Sequence, residues 1–182
     1  MGVGRMTTLW VADTGKSSGF VWGEFTPTTP FKRLGYAQVS GGIGGVKRWL
    51  ADNQWVYEID VRLCEKFVPI GGQGFSQTLD STLPLVIEGG LIMVDLMPEY
   101  GPDTLDVFPR PNAMYFMGGA NKREKLQRSR AWLKEHGLLL TGKDVGQADA
   151  DDAVSATLHA FAYLLHQRHL PTMKHYKIGV NV

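Results

Sequence analysis

The sequence opens with two strand-like runs joined by a short turn, and this feature constrains the fold more than any other. Residues 7–12 are rich in β-forming side chains and end at Asp13, and residues 19–25 form a second such run. The residues between the two runs include glycine, lysine and serine, which favour a hairpin. The chain is therefore predicted to begin with an antiparallel pair of strands, to which residues 32–39 add a third.

The remainder of the sequence alternates between the two kinds of secondary structure. Further strands are predicted over residues 56–65 and 105–108, and helices over residues 46–53, 78–97, 121–135 and 150–167. In the last helix, apolar residues recur every three or four positions and form one face. This order predicts an α/β fold with a mixed five-stranded sheet that starts as an antiparallel meander and is flanked by helices.

Composition restricts the class of protein. A chain of 182 residues with 43% hydrophobic and 20% charged residues is typical of one globular domain. The net charge of +1 means that nucleic-acid binding would have to use a local basic surface. The single cysteine, Cys64, excludes an intramolecular disulfide, and no run is long enough to span a membrane. We therefore expect a cytoplasmic protein.

Four acidic residues stand at positions where strands and helices end or begin. Asp13 and Glu65 close predicted strands, and Asp149 and Asp152 share one face at the start of the last helix. Carboxylates at the ends of strands project into the crevice where α/β proteins bind ligands. If all four converge they would repel one another unless divalent cations lie between them, and Mg²⁺ or Mn²⁺ prefers such ligands. Two such ions would support hydrolysis of a phosphodiester.

Simpler explanations exist for single residues of this set. Asp149 alone would suit a helix N-cap, and Asp13 alone would suit a tight turn. A phosphate-binding P-loop is excluded because Trp10 stands where its first glycine is required. An aspartic-protease site would need a second such aspartate in an almost all-β chain, and the helical C-terminal half argues against it. A sugar-kinase-type ATP site would need a second phosphate hairpin.

The order of these motifs resembles the RuvC family of Holliday-junction resolvases, within the ribonuclease-H-like nuclease superfamily. Asp13-Thr14-Gly15 is similar to the family's Asp-Pro-Gly at the end of its first strand, with Thr14 in place of proline. Glu65 matches the family's second acid. The segment from Gln147 to His159 resembles the family's Asp-x-x-Asp-Ala helix, and residues 117–122 resemble a segment in which a lysine begins a basic helix. The resemblance extends over residues 7–166.

This resemblance implies a homodimer that nicks four-way DNA junctions with Mg²⁺ or Mn²⁺, two ions per active site. Asp13, Glu65, Asp149 and Asp152 would be the catalytic metal ligands, and Lys122 would lie near the scissile phosphate. The nuclease domain would comprise residues 7–168, with terminal tails at residues 1–6 and 169–182.

Contacts to DNA are expected from basic and aromatic residues near the acids. The candidates are Lys16, Lys66, Phe67, Phe75, Lys122, Arg123 and Lys125. The aromatic wedge of bacterial family members is replaced by Val68, so Phe67 or Phe75 would open the junction. The pattern looks closer to divergent phage-type members, which accept several branched DNAs. A flap or replication-fork nuclease and a non-catalytic junction-binding protein are the alternatives.

Overall fold

The computed structural model describes residues 4–66, 84, 86–91, 106–109, 118, 120–139 and 151–178. Within these ranges the chain forms one sheet with helices packed on both of its faces. None of the described helices is both long and apolar enough to cross a lipid bilayer.

The sheet begins as an antiparallel meander and continues with parallel strands. Strands β1 (Thr7–Asp13), β2 (Ser17–Thr26) and β3 (Thr29–Ser40) follow one another as antiparallel neighbours. Strand β4 (Val61–Lys66) pairs in parallel with β1, and β5 (Asp106–Pro109) pairs in parallel with β4. The described strands therefore lie in the order β3-β2-β1-β4-β5. The α/β class and the antiparallel meander predicted from the sequence are confirmed.

The described helices are α1 to α5 in chain order. Helix α1 spans Gly42–Asp52, and α2 is described at residues 84 and 86–91, within the helix predicted over residues 78–97. Helix α3 spans Lys122–Glu135, α4 spans Asp151–His166 and α5 spans Leu170–His175. The predicted helices over residues 121–135 and 150–167 thus match α3 and α4 closely where the chain is described.

Strand β1 is buried on both faces and separates two hydrophobic cores. Leu9 and Val11 pack against α4 in one core, which also includes Leu133 of α3 and residues that directly follow α5. Trp10 and Ala12 point the other way and pack in a second core with residues of α1 and α2. Because side chains alternate along a strand, a strand covered on both faces must be apolar at successive positions. This explains why the first run of the sequence is apolar without alternation.

The strand predicted over residues 56–65 is wrong in its first half. Residues Gln54–Glu58 form a 3-10 helix, and the strand begins only at Val61. The carboxylate of Asp60 accepts hydrogen bonds from the Thr8 backbone N–H and from the Thr8 hydroxyl, both at 2.8 Å. These bonds tie the start of β4 to β1 and help to fix the parallel register between the two strands.

The helix predicted over residues 46–53 begins four residues earlier than expected, within the glycine-rich segment after β3. Helix α1 begins at Gly42, immediately after Gly41, whose φ of 93° is left-handed. A Cβ at Gly45 would lie 2.0 Å from the carbonyl oxygen of Ser40. The absence of a side chain at Gly45 therefore allows α1 to turn back directly against the end of β3.

Residues 169–178 fall within the predicted C-terminal tail, yet they pack against β3. The Thr172 hydroxyl oxygen accepts a hydrogen bond from the Phe31 backbone N–H at 2.8 Å. The Tyr176 hydroxyl donates to the Phe31 carbonyl oxygen, also at 2.8 Å. Both side chains are buried, so α5 supplies the hydrogen bonds that this part of β3 lacks on its outer edge.

We predict that Thr172→Val destabilises the protein by about 1–3 kcal/mol, because it leaves the buried Phe31 N–H without an acceptor. Thr172→Ser keeps the hydroxyl and is the matched control, with a smaller expected loss. Urea denaturation of the three proteins measures the difference. Equal stability of the valine and serine variants would show that this hydrogen bond does not hold α5 on the sheet.

Candidate metal centre

Four residues form a row across neighbouring strands at the end of the sheet where β1 and β4 finish. The antiparallel registers place Gly19 opposite Asp13, and Gln38 opposite Gly19. Glu65 continues the row on β4, since the parallel pairing of β1 and β4 is in register one residue earlier in each strand. Paired residues on adjacent strands project from the same face of a sheet, so these side chains can act together.

Helix α4 packs against the sheet at Gly19, the residue of this row that has no side chain. A Cβ on Gly19 would lie 2.0 Å from the carbonyl carbon of Asp152 and 2.2 Å from the backbone nitrogen of Ala153. These separations are far below any van der Waals contact, so only glycine permits the approach. The first turn of α4 therefore lies directly on β2 and carries Asp152 to the acids of β1 and β4.

One face of α4 supplies three polar side chains to this place. Asp152, Ser155 and His159 are separated by three and four residues, which is the spacing of one helical face. The Ser155 hydroxyl is hydrogen-bonded to the Asp13 carboxyl. Two turns along the helix, His159 Nε2 lies 3.2 Å from Glu65 Oε2, and both side chains are buried. The strands thus provide two carboxyl groups and the helix provides a third together with a hydroxyl and an imidazole.

The crowding of these acids perturbs the Asp13 carboxyl. Its pKa is raised well above the ordinary value, chiefly because burial removes water from it. A hydrogen bond with Glu65 and the negative charges of Glu65 and Asp152 raise the pKa further, while the bond with Ser155 lowers it. Without a cation, the Asp13 carboxyl is therefore harder to ionise than a carboxyl in water.

The donor set of this site fits a hard divalent cation. One ligand atom from each of Asp13, Glu65 and His159 lies within 4.8 Å of the others. Carboxylate oxygens are the ligands preferred by Mg²⁺ and Mn²⁺, and a cation would relieve the repulsion that raises the Asp13 pKa. The imidazole of His159 directs Nε2 at Glu65, which is how second-layer groups commonly orient a ligating carboxylate.

The structure describes three of the four acids predicted from the sequence. Asp13, Glu65 and Asp152 lie at the same end of the sheet, and the first two are hydrogen-bonded to each other. Asp149 lies outside the described residues, so its place in the site stays a prediction. Cys64, which precedes Glu65, points to the opposite face of the sheet and belongs to the other core.

The predicted DNA-contacting residues are described only in part. Lys16 is exposed in the turn after Asp13, and its carbonyl oxygen accepts a hydrogen bond from the Gly42 N–H at 3.0 Å. Arg123 is exposed and Lys125 is half-buried in the first turn of α3. Only the backbone is described for Lys66, which ends β4, and for Lys122, which begins α3, while Phe67 and Phe75 lie outside the described residues.

Three residues of the site were not assigned from the sequence: His159, Ser155 and Gln38. His159 was noted only as part of a helical motif, although its spacing from Asp152 places it on the same helical face. Ser155 shares that face and could have been found in the same way. Gln38 carries no comparable signal, because its position beside the acids depends on the pairing of β2 with β3.

We predict that Asp13→Asn raises the thermal stability of the metal-free protein at pH 7–8. A raised pKa means that the folded state holds this proton more tightly than the unfolded state, so stability falls as pH rises above about 4. Asparagine cannot ionise, so the variant does not lose this stability at high pH. Its thermal unfolding midpoint should exceed that of the parent by at least ~2 °C. The difference in midpoint between the variant and the parent should vanish near pH 4. Thermal melts of both proteins in EDTA test this.

The exposed residue Asp52 provides the control for this experiment. Asp52→Asn removes the same charge far from the site and should leave the midpoint almost unchanged. Addition of Mn²⁺ should stabilise the parent and the control but not Asp13→Asn. A lower midpoint for Asp13→Asn in EDTA would contradict the raised pKa.

We predict that Gly19→Ala displaces the start of α4, because the added methyl group would overlap the backbone of Asp152. The expected cost is about 1–3 kcal/mol in unfolding free energy, together with weaker Mn²⁺ binding. Gly89→Ala is the control, since a Cβ at Gly89 meets nothing within 4 Å and alanine favours the helical conformation. Calorimetric unfolding and Mn²⁺ titration compare the two. An Mn²⁺ affinity unchanged by Gly19→Ala would contradict the role given to this contact.

Comparison with known proteins supports the fold. No protein-family model matches the sequence, and no curated protein matches it at a significant level. RuvC of T. thermophilus in complex with a Holliday junction substrate matches the structure with a TM-score of 0.52 and 16% identity, over 88% of this chain and 96% of that one. A Thermus thermophilus RuvC structure matches with a TM-score of 0.50 and 15% identity, over 88% and 97% of the two chains. The chain therefore has a RuvC-like fold.

Proposed function

We propose that this protein is a metal-dependent endonuclease that cuts branched DNA and resolves Holliday junctions by paired nicks. The observation that carries the proposal is the convergence of Asp13, Glu65 and Asp152 at one end of a RuvC-like sheet. The matched RuvC structure holds a Holliday junction substrate, which supports the same class of substrate for this chain.

The acids are proposed to hold two Mg²⁺ or Mn²⁺ ions, with Asp149 as the fourth ligand. When bound, such ions activate a water molecule and stabilise the leaving oxygen of a phosphodiester. The protein's own groups hold the acids in place: Ser155 bonds Asp13, and His159 lies against Glu65. Glu65 and His159 are buried, which limits the access of bulk water to the Glu65 carboxylate.

DNA is proposed to contact basic residues of the turn between β1 and β2 and of α3. Lys16 lies three residues after Asp13 and is exposed, and Arg123 and Lys125 occupy the first turn of α3 beside Lys122, which is proposed to contact the scissile phosphate. Lys66 follows Glu65 and is proposed to contact the DNA backbone. Binding should therefore be electrostatic and weaken steeply as salt is added.

A homodimer is proposed because two symmetric nicks require two active sites on one junction. Phe67 and Phe75 are proposed to open the junction, and acceptance of several branched DNAs, as in phage-type resolvases, is part of the proposal. Recombination and DNA repair are the processes in which such an activity would serve.

The test is cleavage of a labelled immobile four-way junction, beside a flap, a fork and a linear duplex, with Mg²⁺, Mn²⁺ or EDTA. We expect paired nicks in the junction that EDTA abolishes. Comparable cutting of flaps and forks would support a metal-dependent nuclease but contradict specificity for four-way junctions. Junction binding without cutting, by folded protein with added metal, would overturn the enzyme and favour a non-catalytic binding protein.

Asp152→Asn is expected to abolish cleavage while junction binding and folding persist. The substitution keeps an oxygen that can accept the hydrogen bond from Gln38 and removes only the charge needed for a cation. Asp52→Asn, at an exposed position in α1, is the matched control and should cut like the parent. Normal cutting by Asp152→Asn would show that the acids are assigned wrongly.

A further inference from the structure

Gln38 on β3 is bonded to both the side chain and the backbone at the start of α4. Its Nε2 lies 2.6 Å from Asp152 Oδ2, to which it donates a hydrogen bond. Its Oε1 accepts a hydrogen bond from the Ala153 backbone N–H at 3.0 Å. A third contact joins Nε2 to the Ser17 hydroxyl oxygen at 2.6 Å. One amide group thus connects three elements of the fold beside the acids.

The chemistry of the partners fixes the orientation of this amide. The Ala153 N–H can only donate, so the carbonyl oxygen of Gln38 must face it. The NH₂ group must then face the Asp152 carboxylate, which can only accept while it is ionised. If the amide were rotated by 180°, its NH₂ group would face the Ala153 N–H and its oxygen would face the Asp152 carboxylate. Both hydrogen bonds would then be lost.

The bond to Ala153 also serves the helix itself. The first N–H groups of a helix have no acceptor within the helix, and Ala153 lies in the first turn of α4. Gln38 therefore acts as a cap supplied by a neighbouring strand. Because the same side chain bonds the Asp152 carboxylate, the position of the helix and the direction of its acid are set by one group.

We propose that Gln38 is the positioning residue that orients the Asp152 carboxylate for the bound cation. This proposal deepens the proposed function and rests on it. Gln38 holds one carboxylate oxygen from the side of β3, which restricts rotation of the carboxylate about its Cβ–Cγ bond. The acid is then already oriented before a cation arrives, and none of the binding free energy is lost in ordering it.

The choice of cation distinguishes orientation from simple support of the fold. Mg²⁺ requires a nearly ideal octahedral arrangement, whereas Ca²⁺ tolerates irregular ligand positions. A carboxylate that rotates freely should therefore impair Mg²⁺ binding more than Ca²⁺ binding. A substitution that only destabilises the fold should weaken the binding of both ions to a similar extent.

The experiment titrates Mg²⁺, Mn²⁺ and Ca²⁺ into full-length protein by calorimetry, without DNA, for the parent and for Gln38→Met. Methionine has a similar length and cannot form either bond. We expect Mg²⁺ and Mn²⁺ affinity to fall by about 10–100-fold and Ca²⁺ affinity to fall less. Gln54→Met is the matched control, since Gln54 is exposed before the start of β4, at the opposite end of that strand from Glu65. Its affinities should equal those of the parent.

Gln38→Asn is the second variant, in case Gln38→Met does not fold. It keeps the amide but is one methylene shorter, so it cannot reach both partners. The same larger loss of affinity for Mg²⁺ than for Ca²⁺ is expected. Unchanged Mg²⁺ affinity in either folded variant, an equal loss for Mg²⁺ and Ca²⁺, or no Mg²⁺ binding by the parent would each overturn the positioning role.

Cleavage assays on the same proteins separate this proposal from the proposed function. A parent that binds Mg²⁺ in a Gln38-dependent manner but cuts no DNA would leave the positioning role standing and overturn the nuclease. A parent that cuts junctions, with a Gln38→Met variant that binds and cuts equally well, would overturn only the positioning role.

Discussion

The contact between the first turn of α4 and the bare backbone of β2 at Gly19 determines the geometry of the whole site. The acids of β1 and β4 are fixed by strand pairing, but the third acid belongs to a helix that could approach the sheet only as closely as the side chains beneath it allow. With no side chain at Gly19, the backbone of Asp152 comes within direct contact of β2. Every other polar contact of α4 with the acids, through Ser155 and His159, follows from this approach and from the helical repeat.

This arrangement places like charges together and therefore costs stability when no cation is bound. The raised pKa of Asp13 has burial as its main cause, and the neighbouring charges of Glu65 and Asp152 raise it further. The cost is tolerated because β1 is buried by apolar side chains on both faces along most of its length. At the opposite end of the sheet, the Asp60 carboxylate accepts hydrogen bonds from Thr8, and the Tyr176 hydroxyl donates to the Phe31 carbonyl oxygen. These contacts lie away from the acids and offset part of the cost of the site.

Polar residues around the acids distinguish this site from a surface cluster of carboxylates. Gln38 bonds Asp152, Ser155 bonds Asp13 and His159 lies against Glu65, so each described acid has its own partner from another element. Such partners restrict the rotation of ligating groups and favour cations with strict geometric demands. The donor set of these residues therefore fits the proposed centre for Mg²⁺ or Mn²⁺.

The sequence by itself determined the features that depend on local pattern. Successive apolar and β-branched residues predicted the hairpin, helix-forming composition predicted α3 and helical spacing predicted α4. The acids at the ends of predicted elements indicated the candidate site. Tertiary structure alone decided what depends on distant residues: the late start of β4 beside Thr8, the packing of α5 on β3, and the position of Gln38. A glutamine in a strand carries no local signal for its partner, because strand register and helix docking join residues 114 or more positions apart. The candidate acids could thus be named from the sequence as a prediction, whereas the polar groups that contact them became evident only in the fold.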